Sequence, residues 1–230
     1  MQPLRVEFKL VGPWAPPSYG VHFDGLVAHA AVKDGLRGEV VAASALSEDG
    51  ETDFASLIAD LPFDKYTSQA GWCWKASKLL RIKTHGQERR YMTAKTPVNT
   101  MARAIGDGTV ETKGGSIIDT VRGIGKNSSL YYTIEHTEEL HAYCIGDKDA
   151  LDYLLGHIVA VGIKPRIGHG SLAQFEDGKY FKIVPDDQAL TKWKLRNLPD
   201  RLEENMVPGI GTIHPPYWKD KSYCWMPCEA

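Results

Sequence analysis

A glycine turn decides how this chain folds: Gly162-Ile163-Lys164-Pro165-Arg166-Ile167-Gly168-His169-Gly170-Ser171. An apolar stretch with helical spacing, residues 150–161, precedes the turn, and a strand-like stretch, residues 180–184, follows it. Because glycine carries no side chain, its backbone amide can come close to a phosphate group. The turn therefore predicts an anion-binding loop between a helix and a strand, with Lys164 and Arg166 adding positive charge.

The segments before the turn carry further strand and helix patterns. Apolar and charged residues alternate from Leu4 to Leu10, which predicts an amphipathic strand. Apolar residues recur at helical spacing from Phe23 to Ala31, which predicts an amphipathic helix. Two further strands are predicted at residues 130–134 and 141–145, and Asp147 occupies the N-cap position of the next helix.

These elements follow the order β-α-β-β-α-β once the segment 62–128 is set aside as an insertion. This order predicts an α+β protein with the ferredoxin-like unit that RNA-recognition domains share. The Trp- and Pro-rich residues 190–230 are predicted to form an irregular extension of strand and loop over the core. At 230 residues and 43% hydrophobic content, we expect one domain that carries this insertion.

The insertion has patterns of its own. Residues 79–83 are predicted to form a strand, and residues 89–93 a strand that returns beside it. Thr96-Pro97 is typical of a helix start, so a helix is predicted over Val98–Ile105, stopped at Gly106. A short helix is also predicted from Phe54 to Asp60.

The positive charge of the chain is concentrated in the insertion. Between Lys65 and Lys126 there are 12 Lys or Arg and 4 Asp or Glu, so this segment carries +8. Because the whole chain carries −2, the remainder carries −10. Such segregation predicts a basic surface for nucleic acid, although a solvated insertion without a ligand would give the same count.

Composition excludes some classes of protein. No apolar run approaches the roughly 18 to 20 residues of a membrane span, so we expect no membrane contact and a cytoplasmic location. The four cysteines are scattered, which favours reduced thiols. Cys224 and Cys228 could form half of a zinc site, but no second pair has matching spacing, and we expect neither metal nor cofactor.

The chain resembles the RAMP superfamily of CRISPR-associated proteins. The resemblance rests on the element order, on the opening strand at Pro3-Leu4-Arg5-Val6, on the helix start at residues 22–27, and on Gly168-His169-Gly170 after the second helix. It is closest to the small subunit of type IV effector complexes that holds the 5′ handle of the guide RNA. The resemblance implies a subunit of a ribonucleoprotein complex of antiviral defence. Its implied partners are guide RNA, RAMP backbone subunits and other effector subunits, and target DNA is a further implied ligand.

The resemblance assigns the insertion the role of a thumb that contacts guide RNA. The residues that would contact the RNA backbone are the insertion's cations Lys75, Lys78, Arg81, Lys83, Arg89 and Arg90, together with Lys164, Arg166, Gly168, His169 and Gly170 of the glycine turn. The rings that would stack on bases are Trp72, Trp74 and Tyr91. Trp72 and Trp74 have strand spacing, and a buried face would explain them equally well.

We expect the subunit to be non-catalytic. Some RAMP proteins cleave guide-RNA precursors by acid–base chemistry, and three histidines could serve that alternative: His22, His29 and His169. His22 and His29 are seven residues apart and are predicted to share a helix face. A third alternative is a protein-interaction scaffold whose C-terminal aromatic residues dock a partner.

Overall fold

A computed structural model describes residues 1–35, 60–95, 97–109, 127–217 and 221–228. The predicted helix at Phe54–Asp60 lies almost entirely outside these residues, as does the Thr96 cap. The chain divides into a larger unit, Met1–Gly86 with Glu135–Ala230, and a smaller unit, Gln87–Ile134. The predicted boundaries of the insertion and extension remain predictions.

The described residues form a mixed α/β structure with antiparallel sheets. The strands are β1 Gln2–Lys9, β2 Lys65–Thr67, β3 Trp72–Trp74, β4 Leu80–Ala94, β5 Ser128–Gly146, β6 Lys182–Pro185, β7 Met206–Gly211 and β8 Ser222–Pro227. The helices are α1 Phe23–Gly35, α2 Val98–Gly106, α3 Lys148–Leu155 and α4 Ala189–Lys192. None of the helices in this described part is long and apolar enough to cross a membrane.

The main sheet has the strand order β4-β5-β1-β6, and β1 is antiparallel to both of its neighbours. One face of β1 is apolar, because Leu4, Val6 and Phe8 alternate with polar residues and are fully buried. Buried side chains of α1 and α3, such as Phe23 and Leu151, belong to the same core. Each large apolar side chain buried in this way contributes about 1.5–3 kcal/mol to stability.

Helix α3 begins as predicted but ends early. The Asp147 carboxylate accepts hydrogen bonds from the amides of Asp149 and Ala150, which is the geometry of an N-cap. The helix ends at Leu155 and Gly156 follows, whereas the apolar spacing predicted a helix as far as residue 161. The chain has therefore left the helix when it reaches Val159, whose side chain is exposed.

Strands β4 and β5 are longer than predicted. Residues 79–83 and 89–93 were expected to be two strands, the second returning beside the first, but residues 80–94 form one 15-residue strand, β4. Likewise, residues 130–134 and 141–145 belong to one 19-residue strand, β5. The two strands are hydrogen-bonded neighbours. Backbone hydrogen bonds to the partner strand therefore keep each strand extended through its polar middle residues.

The C-terminal extension is more regular than predicted. Strands β7 and β8 pair in antiparallel fashion, and Leu198 forms a bridge to Trp225 of β8. A second apolar cluster holds this extension to the larger unit, and its buried members are Cys73, Trp193, Leu198 and Met206. The C-terminal segment therefore contains an ordered hairpin that shares a small apolar cluster with Cys73 of β3.

Candidate nucleic-acid interface

The glycine turn contains a short 3₁₀ helix, Pro165–Ile167, between two residues in the left-handed region. These are Lys164, with φ of 67°, and Gly168, with φ of 89°. The Gly168 amide donates to the Pro165 carbonyl at 3.0 Å, and the Gly170 amide donates to the Pro13 carbonyl at 3.0 Å. Both amides are therefore occupied by protein acceptors and do not face a ligand.

The glycines are required because the backbone of the turn packs closely on neighbouring backbone. A Cβ atom on Gly170 would lie 1.8 Å from the Val161 carbonyl oxygen, and one on Gly162 would lie 2.6 Å from that of Ala15. Both glycines also have positive φ values. Tight packing on the backbone of Val161 and Ala15, rather than room for a phosphate, thus accounts for these two glycines.

Three of the predicted cations in the larger unit, Lys75, Arg81 and Lys83, have acidic partners. Lys75 Nζ lies 2.6 Å from Asp64, and Arg81 Nη1 lies 2.9 Å from Glu135. Lys83 Nζ lies 3.4 Å from Glu139 of β5. These acids lie outside the segment Lys65–Lys126, so in the folded chain they neutralise part of the positive charge counted in that segment. Lys78 is half-buried, and its backbone amide donates to the Leu195 carbonyl.

The smaller unit carries an exposed face with aromatic rings. The Arg89 guanidinium lies over the Tyr131 ring, 4.9 Å from its centre. Arg89 and Tyr91 are two residues apart on β4, so their side chains point to the same face as Tyr131. Tyr91 and Tyr131 are 67% and 66% exposed. We call Arg89, Tyr91 and Tyr131 the arginine–tyrosine face; Arg90 pairs instead with Glu88 at 2.6 Å.

The two tryptophans of β3 are already engaged inside the protein. The Trp72 ring stacks on His214, with ring centres 4.3 Å apart and planes 4° apart. The Lys65 ammonium lies 4.4 Å from the Trp72 ring and 4.7 Å from the Trp74 ring. Trp74 is also buried. Of the three rings predicted to stack on bases, Tyr91 is the one that the structure leaves widely exposed.

A comparison with protein families accounts for almost the entire sequence. The family model described as CRISPR type IV associated protein Csf3 matches residues 2–229. The chain belongs to the Csf3 family. Membership indicates a subunit of a type IV CRISPR complex, with other subunits of that complex as partners. No curated protein matches the sequence.

The three histidines of this Csf3-family chain lie in different surroundings. His22 is buried, His29 is exposed on α1, and His169 is partly exposed in the glycine turn. The prediction that His22 and His29 share a helix face is wrong, because α1 begins at Phe23 and His22 precedes the helical repeat. The His22 ring instead stacks on Tyr217, with ring centres 4.2 Å apart.

A buried polar network beneath His22 was not predicted from the sequence. Arg196 is fully buried and donates to the Asp24 carboxylate at 3.0 Å and to the Trp74 carbonyl at 2.6 Å. The Tyr217 hydroxyl donates to Asp24 at 2.7 Å and accepts from Arg196 at 2.6 Å. This network joins the start of α1 to the C-terminal extension. Asp24 and Arg196 are 172 positions apart, so no local motif connects them.

The buried charges of Asp24 and Arg196 stabilise each other. Burial raises the pKa of Asp24, and the Arg196 charge and the Tyr217 hydroxyl oppose that rise. Burial alone would lower the pKa of Arg196, but Asp24 raises it above its usual value. Burial is also the main reason that the pKa of Tyr217 lies well above its usual value. We therefore assign Asp24 as a carboxylate, Arg196 as a cation and Tyr217 as a neutral phenol.

We expect His22 to make the stability of the protein depend on pH. Burial, and then the charges of Arg196 and Lys78, lower the pKa of His22 well below its ordinary value. As the pH falls below about 6.5, the unfolded chain takes up this proton first, so stability falls by up to about 1.4 kcal/mol per pH unit. Replacing His22 by Phe (His22→Phe) keeps a ring on Tyr217 and should remove this component. Urea unfolding of both proteins at several pH values would measure this pH dependence. If the free energy of unfolding changed with pH equally in both proteins, the assignment to His22 would be wrong.

The cysteines offer no sign of a metal centre in the described residues. Cys224 is buried and Cys228 is exposed. Burial raises the pKa of the Cys73 thiol to about 11, so this thiol stays protonated. Among the described residues, no group of three or more His, Cys, Asp or Glu side chains could hold a metal ion.

Proposed function

We propose that the chain is a non-catalytic guide-RNA-binding subunit of a type IV CRISPR effector complex, which caps the 5′ handle and contacts a backbone subunit. The observation that carries this proposal is the arginine–tyrosine face of the smaller unit. Exposed tyrosines beside an arginine suit the unstacked bases of single-stranded RNA, because each ring offers a stacking surface and the cation can contact a phosphate.

The main sheet supports a RAMP-type core. Along the chain its elements run β1, α1, β4, β5, α3 and β6. Among these four core strands, β4 lies beside β5, β5 beside β1, and β1 beside β6. Numbered by their order in the core, the strands therefore lie in the order 2-3-1-4. We infer that this is the ferredoxin-like arrangement, in which the two helices cover one face of an antiparallel sheet.

Ion pairs within the larger unit limit which cations can contact RNA without first losing an acidic partner. Lys75, Arg81 and Lys83 are paired with carboxylates, so a phosphate must compete with those acids. We place the main RNA contact on the smaller unit and treat these cations as secondary phosphate contacts. The amides of Gly168 and Gly170 are left out of the RNA site because protein carbonyls occupy them.

Removing either exposed tyrosine should weaken RNA binding. We expect Tyr91→Ala and Tyr131→Ala each to lower the affinity for labelled repeat RNA about 5-fold to 150-fold, the loss that follows from removing one base–ring stack. Tyr91→Phe keeps the ring and should bind almost as the original chain does. Native gels across a salt series, with EDTA present, would measure these affinities.

A matched control separates stacking from a general surface effect. Tyr223 is 65% exposed and lies on β8 of the larger unit, so Tyr223→Ala should leave RNA affinity unchanged. Equal losses for Tyr91→Ala and Tyr223→Ala would contradict the proposed face. Denaturing gels of the same samples test catalysis. Intact RNA supports a binding subunit, whereas a discrete cut lost in a His22, His29 or His169 variant would support an endoribonuclease.

A further inference from the structure

Exposed aliphatic side chains surround the glycine turn. Val11 is 71% exposed, Val159 54%, Ile167 53% and Ile163 37%. Two cations, Lys164 and Arg166, lie in the same turn. We call these six residues the turn surface. Large apolar side chains that are exposed in neighbouring segments of a surface often mark an interaction site.

The segments that carry the turn surface are joined by backbone hydrogen bonds. The Val11 amide donates to Ser171, the Leu172 amide to Val159, and the Ile163 amide to Ala15. Ala160 and Ser171 form an antiparallel bridge. The backbone therefore brings residues 11–15 and 159–171 together as one ordered surface of the larger unit.

The turn surface is also free of acidic residues. Residues 11–19 and 159–171 contain Lys164 and Arg166 but no Asp or Glu, on a chain whose net charge is −2. A partner that matches this surface would present an apolar patch with carboxylates at its rim. The four aliphatic side chains of the turn surface offer no ring on which a base could stack, and the turn amides of Gly168 and Gly170 are occupied.

We propose that the turn surface docks a neighbouring protein subunit of the type IV complex through an apolar patch with an acidic rim. The proposal rests on membership of a family that works in a multisubunit complex and does not depend on the RNA contact proposed above. Ile163 and Ile167 are the anchors, and Lys164 and Arg166 select an acidic partner surface.

The test is assembly of the whole complex with a double variant, Ile163→Ser/Ile167→Ser. Both changes remove apolar area without adding charge, so they leave the electrostatic attraction for RNA unchanged. The tagged chain is co-expressed with the other complex subunits and guide RNA, and recovery of each subunit is measured with and without nuclease treatment. We expect at least about a tenfold lower recovery of one protein subunit, and RNA affinity of the isolated chain within about twofold of the original.

The matched control is Val207→Ser/Ile210→Ser, which removes two exposed aliphatic side chains from β7. This control should assemble normally, and thermal melting should show that both double variants fold. Unchanged assembly of the turn variant would overturn the proposal, as would an equal loss in the control. A loss of RNA affinity in the isolated turn variant would assign the surface to RNA instead. If the original chain self-associates and the turn variant is monomeric, the turn surface binds a second copy of the chain. That result would also overturn the proposal.

Discussion

Replacing Arg196 by methionine (Arg196→Met) should destabilise the protein by about 3–5 kcal/mol, because it leaves the Asp24 carboxylate buried without its cation. The change also removes donors from the Trp74 and Ala76 carbonyls, which are bound at 2.6 Å and 3.0 Å. Urea unfolding at neutral pH would measure the loss of free energy of unfolding. The loss should appear as a lower midpoint.

Two further variants test whether the buried Asp24–Arg196 pair is the cause of this loss of stability. Arg5 is also paired with two acids but is partly exposed, so Arg5→Met should cost about 1 kcal/mol or less. Combining Arg196→Met with Asp24→Leu removes both charges and should cost less than the two single changes added together. Equal losses for Arg196→Met and Arg5→Met would show that the network does not hold the C-terminal extension to α1.

Replacing Gly170 by alanine (Gly170→Ala) should cost about 3 kcal/mol or more. Its φ of +73° disfavours any side chain, and the new Cβ would lie 1.8 Å from the Val161 carbonyl oxygen. Relief of that contact must move the turn away from Val161 and disturb the bond from the Val161 amide to the Gly170 carbonyl. Thermal and urea unfolding would both report the loss.

Gly168 provides the matched control within the same turn. It has a φ of +89°, but among the described residues no atom beyond its two chain neighbours lies within 4 Å of the position that a Cβ would occupy. Gly168→Ala should therefore cost about 1–2 kcal/mol, the penalty of the left-handed backbone alone. If both variants lost the same free energy, close packing would not be the reason for Gly170.

Local patterns predicted the elements that are defined by their own residues. The alternation in Leu4–Leu10 predicted β1, and the spacing from Phe23 predicted α1. Asp147 marked the start of α3 correctly, because an N-cap bond spans two or three residues. The helix predicted at Val98–Ile105 was confirmed as α2, with Pro97 at the N-cap rather than at the first helical position.

Features that depend on distant residues escaped prediction. Polar residues in the middle of β4 and β5 resemble turns until the partner strand supplies their hydrogen bonds. The glycine turn suggested phosphate binding, but the position of Pro13 and Ala15 decides where its amides point. Likewise, a count of charges in one segment could not reveal that Glu135 and Glu139 of β5 lie beside Arg81 and Lys83.

The carboxylates beside Arg81 and Lys83 oppose the approach of any polyanion to these cations. A passing nucleic acid must displace Glu135 from Arg81 and Glu139 from Lys83 before it gains either contact. Each displaced acid then repels the incoming phosphates, so a weak encounter at one cation gains little. A polyanion whose shape reaches several cations at once has more to gain. If the chain binds guide RNA as proposed, the same acids should lower its affinity for unrelated RNA.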